Sequence, residues 1–220
     1  MRNLRQNRHK SNRSNAYSES KSSNQRSFDP YFSEFALIRA DRPTNTIVLS
    51  GEQVIDVYER PLRDTFVRPF TVTDLETVLK AIPSKYLVDL KRILLFGGTK
   101  KQELTANRLF RDGTYYPDWD AIALFPFLRK QMDYCCFRFS PHQFQEFRRA
   151  GAKIVQKDGE TFAQFDMDSL KNYYLHIVLL HEIGHHVDWL RKRNDKRGKL
   201  SEEFAEWFSL NTASILLENQ

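Results

Sequence analysis

The sequence predicts an α+β fold, one domain in which a central buried helix packs against a small mixed sheet. Three observations predict it. Residues 168–193 read as a long helix that is apolar nearly all round, through Leu175, Ile177, Val178, Leu179, Leu180 and Ile183, the pattern of a helix enclosed by other elements. Short apolar runs broken by Pro, Gly and Asn fill much of the chain before it, and these are the marks of strands and turns. Finally, 220 residues can bury one good core but not two.

Taken in order, residues 1–27 hold Arg2, Arg5, Arg8, Lys10, Arg13, Lys21 and Arg26 against Glu19 alone, with almost nothing apolar beyond Leu4, Ala16 and Tyr17. Such a segment cannot bury enough surface to offset the entropy of ordering it. Residues 1–27 therefore read as a disordered basic tail, and 28–220 as the single domain. Strands are expected at 35–38, 46–49 and 54–58, punctuated by Pro43, Asn45 and Ser50-Gly51. Thr73-Asp74-Leu75-Glu76 has the spacing of a capping box and opens a helix through Ala81. Pro83-Ser84 restarts a short helical segment to Leu90, and 92–96, ended by Gly97-Gly98, reads as a buried strand. Arg111-Asp112-Gly113 reads as a turn and 121–125 as a strand stopped by Pro126. A helix is expected over 139–150, with Pro141 at a tolerated first position. Asp168 reads as the N-cap of the long helix, and a polar stretch holding Gly198 separates it from a last helix capped by Ser201.

The chemistry gathers in the last two helices. His181-Glu182-Ile183-Gly184-His185 places two imidazoles four residues apart, one above the other on one helical face, where they can bind a single metal ion without backbone strain. Glu182 lies beside that face, close enough to take a proton from a metal-bound water. Catalytic zinc usually has three protein ligands and one open position. Downstream, Ser201-Glu202-Glu203-Phe204-Ala205-Glu206 offers Glu202 as the third ligand, with Glu206 on the same face, placed to accept a hydrogen bond from a ligand histidine. Glu203, about 100° round the helix, competes with Glu202 for that role, as do the adjacent Cys135 and Cys136. Asp188, three residues after His185, suits a supporting or structural duty rather than ligation. A central helix that buries His181 and Glu182 needs something to pair them, and a metal would do so. Gly184 costs about 1 kcal/mol in a helix interior, which points to close approach by another element or by substrate.

His181 to Asp188 followed by Glu202-Glu203-Phe204-Ala205-Glu206-Trp207-Phe208 resembles the catalytic core of the gluzincins. Within them it is most similar to the anthrax lethal-factor-like metallopeptidases, which show an H-E-x-G-H-x-x-D run and then an E-x-F-A-E-x-F-like segment. The resemblance implies a zincin-like metallopeptidase domain with His181, His185 and Glu202 as zinc ligands, Glu182 as the base and Glu206 as a supporting acid. It covers about the last fifty residues well. That family carries a Tyr shortly before the Glu ligand, and residues 187–201 contain none. Tyr115, Tyr116, Tyr173 and Tyr174 are the other candidates to stabilise an oxyanion, beside a packing role for each. His176 and His186 lie off the metal face, and His142, near a helix start, suits a surface role.

Charge and composition bound the partners. The net charge of +6 resides in residues 1–27, because the rest of the chain carries 27 basic and 27 acidic side chains. The tail is suited to weak, sequence-blind contact with a polyanion, or to solubility alone. No segment is long and apolar enough to cross a membrane, and two adjacent cysteines point to a reducing, cytoplasmic setting. Zinc peptidases commonly bind substrate as an added strand at a sheet edge, and 122–125 is the candidate edge, with an ordinary core strand as the other reading. Together these observations predict a zinc-dependent endopeptidase acting on a protein or peptide substrate. The alternative is a non-catalytic, zinc-stabilised interaction protein whose basic tail binds nucleic acid or another polyanion.

Overall fold

A five-stranded mixed sheet carries the domain in the computed structural model, which describes residues 42–105, 112–132, 141–157, 159–193 and 200–218. All of these fall in one unit, Arg42–Gln220. The tail over 1–27, the strand expected at 35–38, and Cys135 and Cys136 lie outside the described residues.

Strands β1 (Asn45–Val48) and β2 (Val54–Glu59) form a hairpin, with Asn45 opposite Val57 and Val48 opposite Val54. Short strand β3 (Phe66–Val67) and helix α1 (Val72–Ala81) follow. The chain then returns as β4 (Arg92–Leu95), parallel to β2. Helix α2 (Lys100–Thr105) precedes β5 (Gly113–Tyr116) and β6 (Ala121–Leu124). β6 lies parallel to β4 and antiparallel to β5, which gives the order β1-β2-β4-β6-β5. β7 (Phe127–Leu128) pairs with β3 apart from this sheet. Helix α3 (Pro141–Arg149) leads into a hairpin of β8 (Lys153–Lys157) and β9 (Glu160–Gln164). The long helical segment comprises α4 (Met167–Tyr173), a π-helical turn (Tyr174–Val178) and α5 (Leu179–Lys192), and α6 (Glu202–Glu218) ends the described chain.

One core joins sheet and helices. Ile55, Val57, Ile93, Leu95, Ile122 and Leu124 pack in the same cluster as Leu75 and Leu79 of α1 and Leu170, Leu179, Leu180 and Ile183 of the long segment. Each such side chain contributes about 1.5–3 kcal/mol on leaving water, which holds the long segment flat on the sheet. The buried Tyr174 hydroxyl adds a polar tie, donating to the Phe125 carbonyl at 2.7 Å.

Three expectations are corrected here. The capping box of α1 is built by Thr71 and Asp74, not by Thr73 and Glu76. Thr71 holds the extended backbone that a cap requires, its hydroxyl accepts from the Asp74 amide at 3.1 Å, and its own amide donates to Asp74 at 2.8 Å. The long segment is capped by Asp166 with Ser169 as its partner, two residues before the expected Asp168. Most consequential for function, 122–125 is no edge. β6 lies between β4 and β5 with all four of its residues buried; among the described residues β1 and β5 are the edge strands, and β5 begins at Gly113 where a turn was expected.

Candidate metal centre

α5 and α6 meet where Gly184 lies against Ala205. A Cβ at Gly184 would stand 2.8 Å from the Ala205 Cα and 3.2 Å from the Phe208 Cβ, so only glycine permits this approach. The close crossing expected from Gly184 is therefore present, and α6 is the element that makes it. It brings Glu202, on the first turn of α6, to the face of α5 that carries the histidines. The N-terminus of α6 is set by Ser201, whose hydroxyl accepts from the Phe204 amide at 3.2 Å.

His181 and His185 stack edge to face, their ring centroids 4.7 Å apart and their planes at 86°. The Nε2 atoms of both point at one oxygen: Glu202 Oε2 lies 3.3 Å from that of His181 and 3.5 Å from that of His185. All three donor atoms lie within 4.8 Å of one another. In a tetrahedron with metal–donor bonds of about 2.0–2.1 Å, neighbouring donors stand about 3.3–3.4 Å apart. Two imidazole nitrogens and a carboxylate oxygen at this spacing could hold a metal ion. Glu203 and Glu206 are not in the donor cluster.

The electrostatics follow from this convergence. Hydrogen bonds from His181 and His185 hold the Glu202 carboxyl well below the ordinary carboxylate range. Burial works against a charged His181 ring, but the Glu202 hydrogen bond and the charges of Glu182 and Glu202 outweigh it and raise its pKa. Glu182 is itself buried, and burial raises its pKa against the pull of both histidines and of the Tyr115 amide, which donates to it. The edge strand makes room for that carboxylate. A Cβ at Gly113 would fall 2.8 Å from the Glu182 Cγ and 3.0 Å from its Oε1. A small residue in β5 thus seats Glu182 against the sheet edge, next to the donor cluster.

The donors open into a cavity of about 800 Å³. Its wall includes β5 residues Gly113, Thr114 and Tyr115, as well as Asp112 and Tyr173, and Gln143 and Glu146 on α3. The Tyr173 hydroxyl donates to Asp112 Oδ2 at 2.8 Å, while burial lifts the Asp112 carboxyl to about 6. Asp112, Gln143 and Glu146 escape sequence reasoning because no spacing links them to the motif; only the fold brings them to its cavity.

The other candidates separate cleanly. His186 is fully buried, its Nε2 at 2.8 Å from the Val88 carbonyl and its Nδ1 at 3.1 Å from the Tyr115 hydroxyl. A carbonyl only accepts, so Nε2 carries the proton and Nδ1 accepts from Tyr115. Burial lowers the His186 pKa in keeping with this neutral ring. The Tyr115 and Tyr174 hydroxyls are thus committed elsewhere. Tyr116 lies outside the cavity wall, and Tyr173 is the one candidate tyrosine besides Tyr115 that lines it. His176 is buried off the donor face, burial lowering its pKa. Glu206 lines the cavity but forms no hydrogen bond to either ligand ring, and His185 Nδ1 is buried with no partner among the described residues. Asp188 does act as a support, though for the other helix: its Oδ2 accepts from the Ser201 amide and from Lys192 Nζ, both at 2.8 Å.

No helix among the described residues is long and apolar enough to cross a membrane. In comparisons with protein-family models, curated proteins and solved structures, the chain matches none.

Proposed function

We propose that this protein is a zinc-dependent endopeptidase of the zincin type, related to the lethal-factor-like gluzincins and acting in the cytoplasm. The observation that carries the reading is the convergence of His181, His185 and Glu202 beside a buried Glu182 that is not itself among the donors. The cytoplasmic assignment rests on a chain with two cysteines, adjacent in sequence.

A zinc ion held by those three side chains would supply Lewis acidity toward a carbonyl and a water of lowered pKa. Glu182 accepts the proton of the attacking water as its oxygen bonds to the peptide carbonyl carbon. As the carbon–nitrogen bond breaks, Glu182 passes that proton to the leaving amine. The raised pKa of Glu182 brings it nearer to neutrality, where one group can both accept and return a proton. The Tyr115 amide and the space left by Gly113 fix where its carboxylate points. Because β5 is an edge strand among the described residues and lines the cavity, the extended peptide is assigned to β5 rather than to 122–125.

Glu182→Gln tests the division of roles. Zinc should remain bound at wild-type stoichiometry by elemental analysis, while peptide hydrolysis falls about 10²- to 10⁴-fold, the range expected on losing a general base. Loss of zinc, or retention of full activity, would reverse the assignment. A zinc-loaded wild-type protein that cleaves nothing in a broad peptide library would favour a non-catalytic, zinc-stabilised interaction protein instead.

A further inference from the structure

We infer that Asp188 is the positioning residue for Glu202, so that α5 carries two ligands and also sets the place of the third. The inference rests on the reading of His181, His185 and Glu202 as metal ligands.

Glu202 has little packing of its own. Its side chain is 74% exposed, so beyond its bonds to the histidines it is aimed by where α6 begins. That starting point is Ser201, one peptide unit before Glu202, about 3.8 Å from Cα to Cα. The Ser201 amide belongs to the end of α6 whose donors have no partner within the helix, and Asp188 accepts its hydrogen at 2.8 Å. The Ser201 carbonyl accepts the first helical bond, from Ala205, at 3.1 Å. Asp188 therefore grips the backbone at the root of the ligand-bearing turn.

The burial of Asp188 argues that this grip is its role. Its side chain is 4% exposed, whereas its other partner, Lys192, is 32% exposed. A carboxylate taken this far from water is costly unless its charge meets fixed donors, and pairing with a lysine one turn away requires no such burial. A negative charge beside the first turn of α6 is also favoured by the helix dipole. Asp188 follows His185 by three residues, so clamp and ligands share one face of one rigid helix. With Gly184 seating Ala205 alongside, α6 is fixed on α5 at two points, one on each side of Glu202 in sequence.

The test uses the full-length protein, with zinc affinity measured by competition against a chromophoric chelator and ligand geometry by the visible spectrum of the cobalt(II)-loaded form. Both are recorded well below the metal-free melting temperature, so that a merely structural role leaves them unmoved. Asp188→Ala should weaken zinc binding about 10- to 100-fold and alter the cobalt spectrum. Asp188→Asn, which keeps an acceptor for the Ser201 amide, should restore most of the affinity, and Lys192→Ala should leave it unchanged. Should Asp188→Ala fail to fold, Ser201→Pro removes the donor while leaving Asp188 in place. It should weaken zinc binding well beyond Ser201→Ala, which keeps the amide. Wild-type affinity in Asp188→Ala or in Ser201→Pro overturns the inference, and so does a loss in Lys192→Ala equal to that in Asp188→Ala. A wild-type protein that binds neither zinc nor cobalt overturns the metal centre itself.

Discussion

Gly184→Ala separates the stability of this fold from the geometry of its metal centre. The added Cβ would stand 2.8 Å from the Ala205 Cα, 3.1 Å from the Ala205 carbonyl oxygen and 3.2 Å from the Phe208 Cβ. Carbon atoms in good contact lie about 3.5–4.0 Å apart, so α5 and α6 must part by about 0.7–1.2 Å. The nearest atom is backbone, so rotating a side chain cannot relieve the clash. Overpacking of this kind costs about 1–3 kcal/mol, while replacing a mid-helix glycine by alanine returns about 0.8–1 kcal/mol of helix propensity. The net loss is about 0–2 kcal/mol, a fall of at most about 8 °C in melting temperature for a chain of this size. Glu202 moves with α6, and its 3.3 and 3.5 Å approaches to the histidines lengthen accordingly. Metal sites tolerate about 0.2 Å in ligand distance. The flexible Glu202 side chain recovers part of the shift, so zinc affinity should fall about 10- to 100-fold, as when outer support of a ligand is lost. Chelator competition and thermal melting of the metal-free protein, run side by side, read the two effects. Unchanged zinc affinity in a folded Gly184→Ala protein would refute the argument that this contact places Glu202.

Two further outcomes concern the residues around the centre. Burial raises the Asp112 carboxyl to about 6 in the folded chain; its stabilising contribution is therefore complete below about pH 4 and lost as pH rises through about 6. At neutral pH this costs at most about 3 kcal/mol. Asp112→Asn should flatten the pH dependence of urea stability between about pH 4 and 6, and a profile identical to wild type would show that Asp112 is not what titrates there. His186→Ala leaves the Tyr115 hydroxyl and Val88 carbonyl without their partner in the interior. It should cost about 2–4 kcal/mol by denaturant titration while zinc stoichiometry holds; release of zinc without loss of stability would make His186 a ligand.

What the sequence revealed and what it hid follow the range over which each signal acts. Spacing along one helix is local, so the shared face of His181 and His185 could be read directly, and Gly184 announced a close neighbour without naming it. Ser201 as a cap and Glu202 on the following turn were equally local. Apolar runs marked β1, β2, β4 and β6, yet strand order is a long-range property. The all-apolar stretch of β6 reflects burial between two neighbours, which argues against an edge. The edge strand beside the cavity among the described residues, Gly113–Tyr116, was hidden because Asp112-Gly113 looks like turn chemistry. Its glycine is needed instead because Glu182 occupies the space a side chain would fill. The N-caps of α1 and α4 stand two residues before the expected ones because several polar residues compete at each helix start, and only backbone geometry selects among them. The β8–β9 hairpin, whose tip turns at Gly159 with φ of 79°, has too little apolar alternation to announce itself.

The π-helical turn at Tyr174–Val178 determines which residues can serve one cavity. Tyr173 and His181 are eight positions apart, which in an uninterrupted α-helix would set them about 80° out of phase. A π turn absorbs one extra residue, so the pair behaves as if seven apart and its phase error falls to about 20°. Tyr173 with Asp112 at one end and the histidines at the other can therefore face the same space. The insertion acts as a rotary offset between two halves of one rod. Deleting a single residue within 174–178 would turn the segment into plain α-helix with both halves still in phase, whereas deleting Ile183 would rotate His185 by about 100° relative to His181. Changes of length, usually most disruptive inside a buried helix, have one tolerated position here, and it lies just before the metal-binding residues.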